Sequence, residues 1–188
     1  VPPMKLSWLP NALSLLRILL VLPCVLALVA GRYDLTLAGF GFAAVSDGLD
    51  GWLAKTFGWT SRLGKILDPI ADKLLLVSFY ITLTALGRVP LWLTATVVVR
   101  DLVIVLGAAA YRYWIGYIEG RPTAISKLNT LLQLVFVLWV IARAQWPILP
   151  QATTMALGAA VFVTTVISGL DYVLTYARDA VRSRRKGG

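Results

Sequence analysis

Six apolar runs of about twenty residues each leave this chain few ways to fold. They lie at roughly 12–30, 35–54, 66–86, 90–112, 127–146 and 152–175, and each is long enough to cross the hydrocarbon core of a bilayer as a helix. In lipid every backbone N–H and C=O must be satisfied internally, so these runs form helices, and their Pro and Gly interruptions require packed neighbours. Of the 188 residues 59% are hydrophobic and mean hydropathy is +0.78, whereas soluble domains are roughly half apolar. The expectation is an all-α integral membrane protein, a single membrane domain over 1–188 with six transmembrane helices. A short interfacial segment, Lys5 to Pro10, precedes them, with Trp8 and Leu9 beside Lys5. The first run is a full span without a small-residue cleavage site, so no cleavable signal peptide is expected.

The net charge of +9 invites a nucleic-acid reading, but its distribution opposes one. An even number of spans puts both termini on one side, and that side carries thirteen of the eighteen Lys and Arg residues, from Lys5 through Lys55, Arg62 and Lys127 to Lys186. The other side holds Arg32, Arg88 and Arg143, while Arg17 and Arg100 fall inside spans. The bias predicts termini in the cytoplasm and no nucleic-acid partner. The basic end, Arg182 to Lys186, then lies against anionic lipid headgroups or simply aids solubility. Cys24 is the single cysteine and histidine is absent, which excludes an internal disulfide and leaves acid–base chemistry to carboxylates, Lys or Tyr.

Four of the nine acidic residues fall in one segment at the end of the second run and the start of the third. Asp47 and Asp50 are three apart and Asp68 and Asp72 four apart, so each pair shares a face of its own helix. The intervening FGWTSRLG can turn the chain back, and an antiparallel pair of helices then brings four carboxylates together. Like charges at a few Å raise one another's pKa steeply, so such a cluster calls for cations. Oxygen-only ligands suit Mg²⁺, Mn²⁺ or Ca²⁺. Gly48 and Gly51 beside the acids, with Ala54 one turn on, leave a smooth strip on which a nucleotide can lie; packing against a neighbouring helix is the plainer account of any single glycine. A solvated acidic hairpin at the membrane surface is the plainer account of the acids themselves.

The full spacing, Asp47-x2-Asp50-Gly51-x2-Ala54-Lys55-x8-Gly64-x3-Asp68-x3-Asp72, resembles the eight-position signature of the CDP-alcohol phosphatidyltransferases. Lys55 departs from it, since the family usually has Arg there, so the cation is kept and the bidentate fork to phosphate is lost. The resemblance implies attack by an alcohol on CDP-diacylglycerol with release of CMP. It implies Asp47, Asp50, Asp68 and Asp72 as ligands of two divalent cations, Mg²⁺ or Mn²⁺, with Asp72 also the catalytic base. Gly51, Ala54, Lys55 and Gly64 would line the cytidine diphosphate pocket. Pro10 and Asn11, followed by Arg17, also look like the family's entry to the first helix, and both Asn11 and Arg17 are candidate phosphate contacts. Arg17 lies about two turns into its span, where an unpaired guanidinium is expensive, so its partner is expected to be an anion, a protein acid or a substrate phosphate. Family members are commonly homodimers, and the charge bias puts the Asp47–Asp72 site, with both termini, on the cytoplasmic side of what is expected to be a bacterial inner membrane.

The acceptor is read from the fourth and fifth spans. Arg100 and Asp101 are charged neighbours inside an apolar run, and because adjacent residues do not share a helix face they are expected to have different partners. Arg100, Arg112, Lys127 and Asn129 are the candidate acceptor-binding residues, with a plain positive-inside cluster as the competing account. The entry Ser126-Lys127-Leu128-Asn129-Thr130 resembles the SKxNT of cardiolipin synthases of this family, whereas phosphatidylglycerophosphate synthases usually read GKxKT. A phosphomonoester carries close to two charges near neutral pH and a phosphodiester one, so Asn129 in place of a second lysine favours phosphatidylglycerol over glycerol 3-phosphate. A divalent-cation channel or transporter is the alternative from another class; the lack of an internal repeat counts against it.

Overall fold

The computed structural model describes residues 9–57, 64–114 and 123–186, with side-chain surroundings over 12–46, 70–107 and 123–175. These residues form six helices and, among themselves, no strand: α1 Leu9–Val29, α2 Tyr33–Phe57, α3 Gly64–Ala85, α4 Leu91–Trp114, α5 Ala124–Gln145 and α6 Gln151–Lys186. Each helix covers one expected run. Most of the expected interfacial segment lies outside the described residues, and its last two, Leu9 and Pro10, open α1. By length and apolarity three stretches of the described chain suffice to cross a membrane, Ala12–Val29, Ala124–Gln145 and Gln151–Thr175. The largest boundary difference is in α6, which continues eleven residues beyond the expected span, so the basic end is helical as far as Lys186. Ala, Arg and Lys there have high intrinsic helix propensity.

The chain divides into two compact units, residues 1–89 with 137–150 and residues 90–136 with 151–188. In the first, α1 packs on both α2 and α3. The buried residues of α1, Ser14, Arg17, Val21, Cys24 and Leu28, recur at spacings of three and four, while Leu15, Leu19, Leu22 and Leu26 form the exposed apolar stripe opposite. Cys24 lies against Gly39 of α2, where an added Cβ would collide with its sulfur. Phe40, the next residue, meets Phe79 of α3 edge to face with ring centroids 4.7 Å apart.

Two glycines set the turns. Gly31 (φ 73°) and Gly87 (φ 68°) adopt the left-handed conformation that side chains disfavour. At each, the glycine N–H bonds three residues back and the following arginine N–H five back, Arg32 to Ala27 and Arg88 to Leu83. Both helix ends are thus Schellman caps. Arg88 also reaches Tyr33, donating to its hydroxyl at 3.4 Å with the guanidinium 6.0 Å from the ring centre.

In the second unit α4 packs on α6. Its apolar part includes Leu93 and Phe136, which close over Gly158, and Phe162 edge to face with Trp92. Its polar part surrounds Arg100.

Candidate functional site

The register of the first unit can be built from three contacts. A link of six residues joins α2 to α3 and is far too short to span the roughly 33 Å of α3, so the two helices turn back on each other. The Phe40–Phe79 contact then pins them. Asp47 lies seven residues after Phe40 and Asp72 seven before Phe79, so the two positions sit at one level, about 10 Å along from the aromatic pair. Asp50 and Asp68 follow about one turn farther on. Helix α1 adds Arg17, seven residues before Cys24, which touches Gly39 at the Phe40 level. Three helices therefore deliver Arg17, Asp47 and Asp72 to the same height of the bundle.

Arg17 is only 1% exposed, and its guanidinium donates to Oδ1 of Asp72 at 2.5 Å. This is the protein acid among the two partners foreseen for it. The pair answers the cost of a guanidinium in the membrane, and it ties the helix carrying Asp72 to α1. Asp72 keeps about a third of its surface open.

The remaining residues expected here are placed as backbone. Asp47, Asp50, Gly51, Ala54 and Lys55 lie in the last three turns of α2, Gly64 opens α3, and Asp68 and Pro69 are its fifth and sixth residues. Pro69 thus falls in the second turn of α3, just past the four N–H groups a helix start leaves free, so its missing N–H costs the bond to the carbonyl of Lys65. Asn11 is the third residue of α1 and Arg112 lies near the end of α4. The side chains of Asn11, Asp47, Asp50, Ala54, Lys55, Asp68 and Arg112 lie outside the described surroundings.

In the second unit Arg100 is the hub. Its Nη1 donates to Asp101 Oδ1 at 2.8 Å and its Nη2 to the hydroxyls of Ser126 (2.7 Å) and Ser168 (2.5 Å), joining α4, α5 and α6. The expectation of separate partners for Arg100 and Asp101 is overturned. Their helix faces differ, but the long arginine stem lets the guanidinium bend round to its neighbour, and burial of both groups makes that pairing worthwhile.

Asn129, one turn along α5 from Ser126, is fully buried; its Oδ1 accepts from Thr164 at 2.9 Å and from Thr165 at 2.8 Å. Gln133 continues the same face one turn deeper and is also fully buried. Lys127 is exposed. Thr164, Thr165, Ser168 and Gln133 were not foreseen as part of a site. Their signal was present as polar residues at helical spacing, Ser126, Asn129 and Gln133 on α5 opposite Thr165 and Ser168 on α6, within otherwise apolar runs.

The sequence model of the CDP-alcohol phosphatidyltransferase family matches residues 7–174. Among relatives, a probable phosphatidylglycerophosphate synthase of Mycobacterium tuberculosis is 34% identical over 182 residues, covering 93% of this chain and 84% of that protein. The cardiolipin synthase (CMP-forming) of Homo sapiens is 30% identical over 189 residues, covering 92% of this chain and 62% of that protein. A CDP-diacylglycerol–glycerol-3-phosphate 3-phosphatidyltransferase of Shigella flexneri is 30% identical, with 91% and 93% covered. The match takes in both units and the whole acidic motif, and on that basis this chain belongs to the CDP-alcohol phosphatidyltransferases, membrane transferases of phospholipid biosynthesis.

Proposed function

We propose that the protein is a cardiolipin synthase (CMP-forming), which transfers the phosphatidyl group of CDP-diacylglycerol to a hydroxyl of phosphatidylglycerol. The observation that carries this reading is the charge around Arg100. Asp101 neutralises Arg100, and position 129 is a neutral amide held by two threonines, so Lys127 is the one uncompensated cation among the described side chains of α4 and the start of α5. A single positive charge matches the singly charged phosphodiester of phosphatidylglycerol better than the near-dianion of glycerol 3-phosphate. The second reading, a phosphatidylglycerophosphate synthase, is favoured by the name of the Mycobacterium tuberculosis relative.

The donor set at the acidic level is all carboxylate, which suits hard divalent cations. Asp47, Asp50, Asp68 and Asp72 would hold two of them, Mg²⁺ or Mn²⁺. Bound there, such cations would supply positive charge to offset that of the diphosphate and of the departing CMP. Asp72 takes the proton of the attacking hydroxyl, and Arg17 holds that carboxylate in place. Gly51 and Ala54 leave room for the cytidine diphosphate, Gly64 admits close backbone approach, and Lys55 meets a phosphate. Asn11 stands at the head of α1 as a further phosphate contact, and Arg112 adds positive charge for the acceptor. All six helices cross a bacterial inner membrane with both termini and the acidic site on the cytoplasmic face, as the distribution of Lys and Arg implies. The protein works as a homodimer.

The test is purified protein with CDP-diacylglycerol and both acceptors at equal accessible concentration, with the lipid products identified by mass. Cardiolipin is expected; ready formation of phosphatidylglycerophosphate without cardiolipin would establish the second reading. Lys127→Ala is expected to raise KM for the acceptor about ten- to a hundredfold, the loss of a charge-assisted hydrogen bond, and to leave KM for CDP-diacylglycerol little changed. Lys55→Ala should do the reverse, raising KM for CDP-diacylglycerol, while Lys55→Arg is tolerated because the cation persists. Unchanged kinetics in either alanine variant would remove that residue from its pocket.

A further inference from the structure

A groove of about 440 Å³ runs between α4 and α6 in the second unit. Its walls include Ala95, Val99 and Val103 from α4 and Val166, Gly169 and Val173 from α6, and it is bordered by the stem of Arg100, whose Cγ lies 3.5 Å from where a Cβ on Gly169 would stand. Small residues make this depression: Ala95 and Gly169 leave space that larger side chains would fill. It lies on the exposed apolar flank, since Val99, Val166 and Val173 all face outward.

Most polar groups along it are already engaged, Nε of Arg100 being the described exception. Thr96 donates to the carbonyl of Trp92 and Thr165 to Asn129, while both terminal nitrogens of Arg100 are taken by Asp101, Ser126 and Ser168. With aliphatic walls and the hydroxyls engaged, the groove suits an occupant that is apolar along its length. It must also be slim. The lining residues span nine positions on each helix, about 12 Å, so the mean cross-section is under half that of an α-helix with its side chains, about 10–12 Å across. A helix of a second copy is too thick to enter, whereas one hydrocarbon chain is not.

We infer that this groove holds one acyl chain of the phospholipid acceptor. The inference rests on the lipid-acceptor reading above and deepens it: phosphatidylglycerol, unlike glycerol 3-phosphate, brings chains that must remain in the bilayer while its headgroup reacts. The groove supplies a place for one of them on the unit that carries Lys127. Because Gly169 and the Arg100 stem form part of its lining, the chain lies directly over the network that fixes α4, α5 and α6.

The experiment uses the full chain in phosphatidylcholine vesicles with a minor share of phosphatidylglycerol bearing a diazirine in one acyl chain. Photolabel is expected on the peptides 95–103 and 165–173, displaced by unlabelled phosphatidylglycerol and not by added phosphatidylcholine. Ala95→Phe, on an exposed position that leaves the core untouched, is expected to abolish that label. It should also raise KM for long-chain phosphatidylglycerol about tenfold at unchanged kcat, with short-chain phosphatidylglycerol used as before. Leu91→Phe, exposed on α4 outside the groove, serves as the control and should change neither. Equal labelling by a phosphatidylcholine probe, or cardiolipin formation by Ala95→Phe with unaltered chain-length dependence, would overturn the groove assignment and leave the synthase reading intact. Failure to make cardiolipin from any phosphatidylglycerol would overturn that reading and the inference with it.

Discussion

Asp47→Asn or Asp68→Asn is expected to lower turnover by at least about a thousandfold, or ~4 kcal/mol of transition-state stabilisation. The substitution keeps the shape of the side chain and removes the charge. Four carboxylates within about one helical turn of a common level call for cations to balance them, and removing one charge weakens both the proposed cation site and its grip on the diphosphate. The unmodified protein should lose activity in EDTA and regain it with Mg²⁺ or Mn²⁺. Binding of Mn²⁺, followed by its spin-resonance signal, should weaken in both variants whether or not substrate is present. Full activity in EDTA without added metal would sink the metal hypothesis, and Mn²⁺ affinity unchanged in Asp47→Asn would remove that residue from the ligand set.

Arg100→Met is expected to destabilise the protein by about 3–5 kcal/mol, because it takes the Arg100 counter-charge away from the buried Asp101 carboxylate. Ser126 and Ser168 lose their common donor partner at the same time, so three helices loosen together. The double variant Arg100→Met with Asp101→Leu should recover most of that loss, since replacing a whole buried pair by apolar groups is often near neutral. Unfolding midpoints of the four proteins in one detergent form the cycle. A midpoint for Arg100→Met equal to that of the unmodified protein, or a double variant worse than both singles, would contradict the pairing. If the network only supports the fold, the double variant should also retain KM for the acceptor. A KM raised tenfold in a stable double variant would instead place Arg100 beside the acceptor phosphate.

The primary structure determined the helices and the chemistry. Lipid allows no unsatisfied backbone, so each run of about twenty apolar residues had one local solution, and all six helices appear at the runs that announce them. The acidic spacing was equally legible, because residues three and four apart on a helix share a face whatever the rest of the chain does. Partners were not legible. That Arg17 meets Asp72 depends on α1 lying in register with α3, which the Cys24–Gly39 approach and the Phe40–Phe79 contact set. The Arg100–Asp101 pairing ran against the facing rule, since that rule describes Cβ directions and a five-bond side chain escapes it. Asn129 offered only a neutral polar group in the sequence, and packing decided that its carbonyl would accept from Thr164 and Thr165. The α4–α6 groove likewise exists only in three dimensions: Ala95 and Gly169 are seventy-four residues apart, and nothing local says that their missing side chains open the same space. Local hydrogen bonding and helical periodicity act within a few residues and can be read in order along the chain; which faces meet is decided by packing complementarity between distant segments, and that belongs to the tertiary structure alone.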